Sequence, residues 1–201
     1  MQIIVVSNSL SKRVEYFVEV GRHLQTEIRF MTYEELFNCL PLLRQAVIKL
    51  EPWVSSETDF LKYALSNQEY KETLRRLGGI RLSGDVHFLN TPHALLRALD
   101  KRETKRVLSD RGLKVTPMLP SPQSFDELRQ LLAGCSRGCF LKPRYGSGAG
   151  GIMAVRYQPG RKKWVVYTTL QQVDGVIHNT KRIHRLSTEK EIVPLAEAVI
   201  Q

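Results

Sequence analysis

CFLKPRYGSGAGGIMAVRY, residues 139–157, decides the reading of this chain. A short apolar run ends at Lys142 and Pro143, a glycine-rich loop follows, and an apolar run resumes at Ile152. Gly146, Ser147, Gly148, Ala149, Gly150 and Gly151 form a backbone that can take positive φ and bring its N–H groups close to an anion. That order of parts points to a clamp for nucleotide phosphates. A Walker A loop places its lysine after the glycines and opens a helix there. Here Lys142 precedes the glycines and no helical pattern follows. Gly146, Gly148 and Gly151 satisfy GxGxxG, but a dinucleotide-binding turn also needs a helix whose N-terminus meets the pyrophosphate. Residues 152–157 and 163–169 instead read as two strands around the turn sequence QPGRK, residues 158–162. The loop therefore joins strands, as a flap over phosphate does. A Gly/Ser hairpin loop without a ligand is the plainer alternative, and Lys142 weighs against it.

A second motif lies upstream. The stretch DKRETKRVL, residues 100–108, is followed by Gly112 and by Val115-Thr116-Pro117. Asp100 with Glu103 gives a D-x-x-E start signal that puts Lys101 at the first helical position. Gly112 ends that helix. By itself Lys101 reads as a solvated lysine in a charged first turn.

Taken together, the two motifs resemble those of the ATP-grasp superfamily in order and spacing: an Asp-Lys helix with a Gly-x-x-x-x-Pro exit, then a strand-borne Lys-Pro and a Gly-rich hairpin. The resemblance implies that Lys101 and Lys142 approach the ATP phosphates, and that Ser147, Gly148, Gly150 and Gly151 fold over the β- and γ-phosphates. Charge-assisted bonds of this kind contribute roughly 1.5–3 kcal/mol each. The implied architecture is α/β. A Rossmann-like pre-ATP-grasp domain over residues 1–90 precedes the α+β N-terminal lobe of an ATP-grasp domain over residues 91–201. The resemblance also implies MgATP as cofactor, with the adenine hinge and the metal ligands in a further lobe beyond Gln201, so the segment alone is expected to be inactive. The whole enzyme would activate a small carboxylate as an acyl phosphate for attack by an amine or another nucleophile. The alternative is a truncated or degenerate, non-catalytic module that binds a nucleotide or a protein.

Composition bounds these readings. The chain has 201 residues, a net charge of +10 and a pI near 9.7. That length suits one large or two small domains and buries roughly 70% of the surface its unfolded chain exposes. No apolar run approaches the roughly 20 residues needed to span a bilayer, and no signal-peptide pattern opens the chain. A cytoplasmic protein is expected. Cys39, Cys135 and Cys139 have no zinc-site spacing and read as free thiols, Cys139 as a small core residue. Basic runs at 101–106, 161–163 and 181–185 lack the interleaved aromatic residues of a single-strand nucleic-acid platform, so nucleic acid is not the expected partner.

Along the chain, residues 2–8 read as a strand and Val14, Phe17, Val18, Gly21 and Leu24 as a helix face. A strand at 27–30 and a helix capped by Thr32 with Glu35 follow, then a strand at 46–50. Residues 51–58 leave a strand end, where ligands of α/β sheets commonly sit. Arg13, Glu51, Trp53, Ser55 and Ser56 are therefore candidate substrate contacts, with an ordinary polar connection as the plainer reading. Two helices, at 58–66 and 70–77, a strand at 88–90 and the helix start Thr91-Pro92 lead to a boundary between Asn90 and Thr91. Ser124 with Glu127 caps a helix ended by Gly134. Beyond Leu170 the pattern blurs. Asp174, His178 and His184 read as loop residues, and 187–200 as a helix that Pro194 interrupts or restarts.

Overall fold

The computed structural model describes residues 1–53, 57–82, 84–146 and 149–201. These fall into two compact units, residues 1–56 with 66–98, and residues 57–65 with 99–201.

In the first unit, strands β1 (Gln2–Val6), β2 (Ile28–Met31), β3 (Gln45–Leu50) and β4 (Asp85–Phe88) form a parallel sheet in the order β2-β1-β3-β4. Ile4, Val5, Val6, Ala46, Ile48 and Leu50 are buried, which is why these strands read as continuous apolar runs: a parallel sheet is covered on both faces. Helix α1 (Lys12–His23) starts at Ser11, whose Oγ accepts the Val14 N–H. Helix α2 (Tyr33–Cys39) starts on the expected capping box, Thr32 Oγ1 accepting the Glu35 N–H at 3.2 Å and Glu35 Oε2 the Thr32 N–H at 2.7 Å.

The two helices expected at 58–66 and 70–77 are one, α3 (Phe60–Gly78). No Gly or Pro occurs between Phe60 and Leu77, so the polar stretch Ser66-Asn67-Gln68 does not break the backbone ladder. Helix α4 (Pro92–Leu99) follows β4, with Pro92 in its first turn.

The second unit holds α5 (Lys101–Asp110), α6 (Phe125–Ala133) and an antiparallel sheet of β5 (Cys139–Leu141), β6 (Met153–Gln158), β7 (Lys163–Val173) and β8 (Val176–Leu186), closed by α7 (Glu189–Ile200). The mixed α/β character expected from the sequence is present, with one parallel and one antiparallel sheet. Leu128 and Leu132 of α6 and Ile192, Leu195 and Val199 of α7 pack with Leu141, Met153, Val155, Trp164, Val166 and Leu170 of the sheet. The Trp164 indole N–H donates to Glu189 Oε1 at 2.9 Å, and the Phe125 N–H to Glu197 Oε1 at 2.7 Å, so α7 is tied to both the sheet and α6.

Two expectations for the last third need correction. His178 and His184 lie in β8, not in a loop, and Asp174 sits in the turn before it. Asp174 and Gly175 have φ of 49° and 81°, between the paired residues Val173 and Val176. That is the geometry of a two-residue type I′ hairpin, which Asp-Gly favours. Helix α7 runs through Pro194, because Ile192, Leu195, Ala196 and Val199 are all buried and their packing outweighs the missing hydrogen bond. Cys139 is half-buried against the core, and all three cysteines are free thiols. Among the described residues, no helix is long and apolar enough to cross a membrane.

Helix α5 ends in a Schellman motif, the Leu113 N–H on Leu108 O at 3.0 Å and the Gly112 N–H on Ser109 O at 2.9 Å. Gly112 has φ 76°, and an added Cβ would meet nothing within 4 Å. Gly112→Ala is therefore expected to cost about 1 kcal/mol through backbone conformation alone. Gly160, equally open but without positive φ, is expected to accept Ala with no loss. Urea unfolding followed by the fluorescence of buried Trp164, in a Trp53→Phe background, compares the two.

Candidate functional site

Strand β5 sorts its side chains by the two-residue period. Leu141 points into the core. Phe140, 67% exposed, lies on the open face of the sheet, and Lys142 follows it there with Nζ 5.1 Å from the ring centroid. The cross-strand row Phe140, Ala154, Tyr167, Arg185 continues that face.

The loop that follows takes positive φ at Gly146 (113°), Ala149 (64°) and Gly151 (70°). The two glycines that end it also have a packing reason. A Cβ on Gly150 would lie 2.6 Å from Tyr63 Cε1, and one on Gly151 2.5 Å from Phe60 Cε2. Phe60 and Tyr63, stacked at 6.2 Å in the first turns of α3, thus form a floor under the loop's exit. Ser147 and Gly148 lie outside the described residues.

Lys101 reaches the loop's entrance, its Nζ donating to Gly146 O at 2.8 Å. The amides at the start of α5 are already engaged. Lys101 N–H donates to Arg144 O at 3.1 Å, Arg102 and Glu103 N–H to Asp100 Oδ1 at 3.0 and 3.1 Å, and Thr104 N–H to Asp100 O at 2.8 Å. The helix start is therefore satisfied by protein groups, and its capacity for an anion resides in the lysine side chain. Burial pushes the Lys101 ammonium below the usual lysine range, and the neighbouring Lys142 charge adds to this, against the pull of Asp100. Two ammonium groups beside the glycine-rich loop form an electropositive site that an anion would relieve.

Sequence reading missed Arg144. Its guanidinium binds the Asp100 carboxylate through three contacts, Nη2 to Oδ2 at 2.5 Å and Nε to Oδ2 and Oδ1 at 3.0 and 3.1 Å. Asp100 is 7% exposed. Burial alone would raise its pKa, but the Arg144 hydrogen bonds, the Glu103 and Arg102 amides and the Arg144 charge prevail and hold it at about 2. A helix-capping Asp next to a lysine was the available signal, since a buried carboxylate of this kind calls for a dedicated cation.

In the first unit, the sheet order reverses at β1 and β3, and Glu51 lies just past the carboxyl end of β3. Glu51 is buried and pairs with Lys49 and with Arg13, the latter at 3.3 Å. Arg13 keeps 71% of its side chain exposed. Burial, then the Arg13 charge, lowers the Lys49 pKa. The Glu51 carbonyl accepts both the Tyr33 hydroxyl at 2.7 Å and the Tyr70 hydroxyl at 3.3 Å. Trp53 packs on both rings, at centroid distances of 6.0 and 5.9 Å. Burial pushes the Tyr33 hydroxyl far above the ordinary tyrosine range, with Tyr70 adding to it. The structure thus brings Arg13, Glu51 and Trp53 together, with Lys49, Tyr33 and Tyr70 unanticipated. Ser55 and Ser56 lie outside the described residues.

Among the described residues, no group of three or more His, Cys, Asp or Glu side chains could hold a metal ion. No family model matches the chain, and no curated protein matches it at a significant level. Solved structures of the ATP-grasp ligase PsnB align over 98% of this chain and 80% of theirs. The complex with a minimal precursor gives 12% identity and a TM-score of 0.48. The complex with minimal precursor, Mg and ADP and the complex with the precursor peptide PsnA2 and AMPPNP each give 15% and 0.47.

Asp100 ionises at about 2 in the folded chain against 3.8 for an ordinary aspartate, so folding favours the carboxylate. The stabilisation it gives is complete above about pH 4 and is lost as the pH falls from there through about 2. Carbon-13 titration of the Asp100 carboxyl should give a midpoint near the lower value, and Asp100→Asn should flatten the acid limb of stability. A midpoint near 3.8 would show that Arg144 does not hold the carboxylate.

Proposed function

We propose that this chain binds the triphosphate of ATP at Lys101, Lys142 and the loop over residues 146–151, as part of an ATP-grasp carboxylate ligase. The observation that carries the reading is the meeting of the Lys101 ammonium with the loop, at Gly146 O, beside the charge of Lys142. The Asp-Lys helix and the Lys-Pro strand, far apart in sequence, supply those two cations to one small region, as the motif resemblance implies.

In this reading Lys101 exchanges its bond to the Gly146 carbonyl for a phosphate oxygen, and Lys142 neutralises a second one from the open face of the sheet. Gly148, Gly150, Gly151 and Ser147 bring backbone and hydroxyl donors over the β- and γ-phosphates. Mg²⁺, when bound, neutralises charge on the transferred phosphoryl group, and its carboxylate and amide ligands belong to a lobe beyond residue 201. Residues 91–201 then constitute the N-terminal lobe of the ATP-grasp domain, and residues 1–90 the pre-ATP-grasp domain. The substrate carboxylate oxygen attacks the γ-phosphorus and ADP departs. An amine or similar nucleophile then attacks the acyl carbon and expels phosphate. Closure of the loop keeps water from the acyl phosphate in between.

Within the first unit, the exposed Arg13 guanidinium, held by Glu51 at 3.3 Å, is the group suited to a small carboxylate, with Trp53, Ser55 and Ser56 as further candidate contacts. The enzyme works in the cytoplasm in this reading, where its three free thiols stay reduced.

Lys101→Ala and Lys142→Ala are each expected to weaken MgATP binding about 10- to 100-fold, the loss of one charge-assisted contact, measured by calorimetry. Unchanged affinity in both variants would sink the reading. Because Lys101 loses its proton below the ordinary lysine pKa of 10.5, and phosphate prefers the protonated form, affinity should fall on raising the pH through that lowered value. Lys101→Arg should remove this alkaline limb.

A further inference from the structure

At Asp100 both oxygens meet Arg144, but only one also serves the helix. Oδ1 caps the helix, accepting the Arg102 and Glu103 amides, and takes the Arg144 Nε–H at 3.1 Å. Oδ2 faces the Arg144 guanidinium, at 2.5 Å from Nη2 and 3.0 Å from Nε. Lys101 is the adjacent cation, and the Asp100 charge already acts on it, favouring its protonated form. The Arg144 carbonyl in turn accepts the Lys101 N–H at 3.1 Å, so one residue holds both the carboxylate and the backbone of the lysine next to it.

A buried carboxylate stripped of its partner is strongly unfavourable. Were the guanidinium removed, the replacement at hand is the ammonium of Lys101. An ammonium drawn onto Oδ2 leaves the Gly146 carbonyl, and with it the entrance of the loop.

We propose that Arg144 is a positioning residue: it engages the Asp100 carboxylate and so keeps that carboxylate off the adjacent Lys101 ammonium, which stays directed at Gly146 and available to phosphate. The identity of the ligand rests on the ATP-binding reading above. The competition between Arg144 and Lys101 for Asp100 belongs to the ligand-free chain and does not depend on it. Asp100 then serves as a cap and as a held charge. Arg144 itself needs no contact with nucleotide.

The test uses the full chain carrying Arg144→Gln, Asp100→Asn or both, with Arg144→Lys as the conservative variant. Two quantities are measured, the titration of the Lys101 ammonium by NMR, assigned through Lys101→Arg, and the affinity for MgATP. Arg144→Gln is expected to move the Lys101 titration upward and weaken MgATP about tenfold or more. Adding Asp100→Asn is expected to bring the titration back down and recover most of the affinity. The competing charge is then gone, while asparagine still caps the helix. Arg144→Lys should keep Lys101 close to its wild-type titration. A purely structural brace predicts the opposite for the double variant, with no recovery in either quantity, and that result overturns the proposal. So does an unchanged Lys101 titration in Arg144→Gln. Should the wild-type chain fail to bind MgATP, the ATP reading falls, and the titrations still decide the role of Arg144.

Discussion

The Asp100 carboxylate is the constraint on which the second unit's site depends. It is buried, ionised and surrounded by two kinds of donor, two helix amides and one guanidinium, with the charge of the neighbouring lysine acting on it as well. A carboxylate in that position is tolerated only with its lone pairs satisfied. Satisfying them fixes the start of α5, the course of the chain at Arg144 and the position of the Lys101 backbone at once. The loop entrance at Gly146 and the end of β5 at Lys142 are then close to one ammonium, and the local field becomes positive without a free cation being stranded in the core.

The exit of the loop is governed by shape rather than charge. Gly150 and Gly151 admit the Phe60 and Tyr63 rings where any Cβ would collide. Glycine here serves two ends, backbone conformation at Gly151 and close packing at both. The alternation of β5 completes the arrangement by burying Leu141 and turning Phe140 and Lys142 outward. The first unit repeats the electrostatic pattern on another scaffold. Glu51 is buried at a strand end and held by a lysine and an arginine, while two tyrosine hydroxyls converge on its carbonyl. In each unit a sequestered acid fixes basic side chains that would otherwise be mobile, and side-chain entropy is spent at folding rather than at binding.

Much of this was legible from residues alone. The capping box at Thr32 and Glu35, the cap at Ser124 and the stop at Gly112 each depend on contacts within a few residues, so spacing suffices to find them. The strands β6 and β7 and their Pro-Gly turn are local for the same reason. Where local signals conflicted, reading failed. The polar residues 67–69 fall between the two helices expected in place of α3, because solvent-facing positions carry no periodic mark of their own. The Asp174-Gly175 turn was a sufficient signal for the β7–β8 hairpin. It was obscured by the charged residues of β8, an edge strand whose arginines and histidines discourage pairing with another sheet.

The sequence by itself determined the elements, the two lysines beside a glycine-rich loop, and the balance of charge, because these follow from residue type and short spacing. Only the tertiary structure decided which groups meet. Arg144 finds Asp100, Lys101 finds Gly146, Tyr63 lies under Gly150, and Tyr33 and Tyr70 share the Glu51 carbonyl. Each of these contacts joins residues distant in sequence, and each exists because a buried polar group must be paired and a packed interior leaves no gap. Neither requirement is visible until the chain has closed on itself.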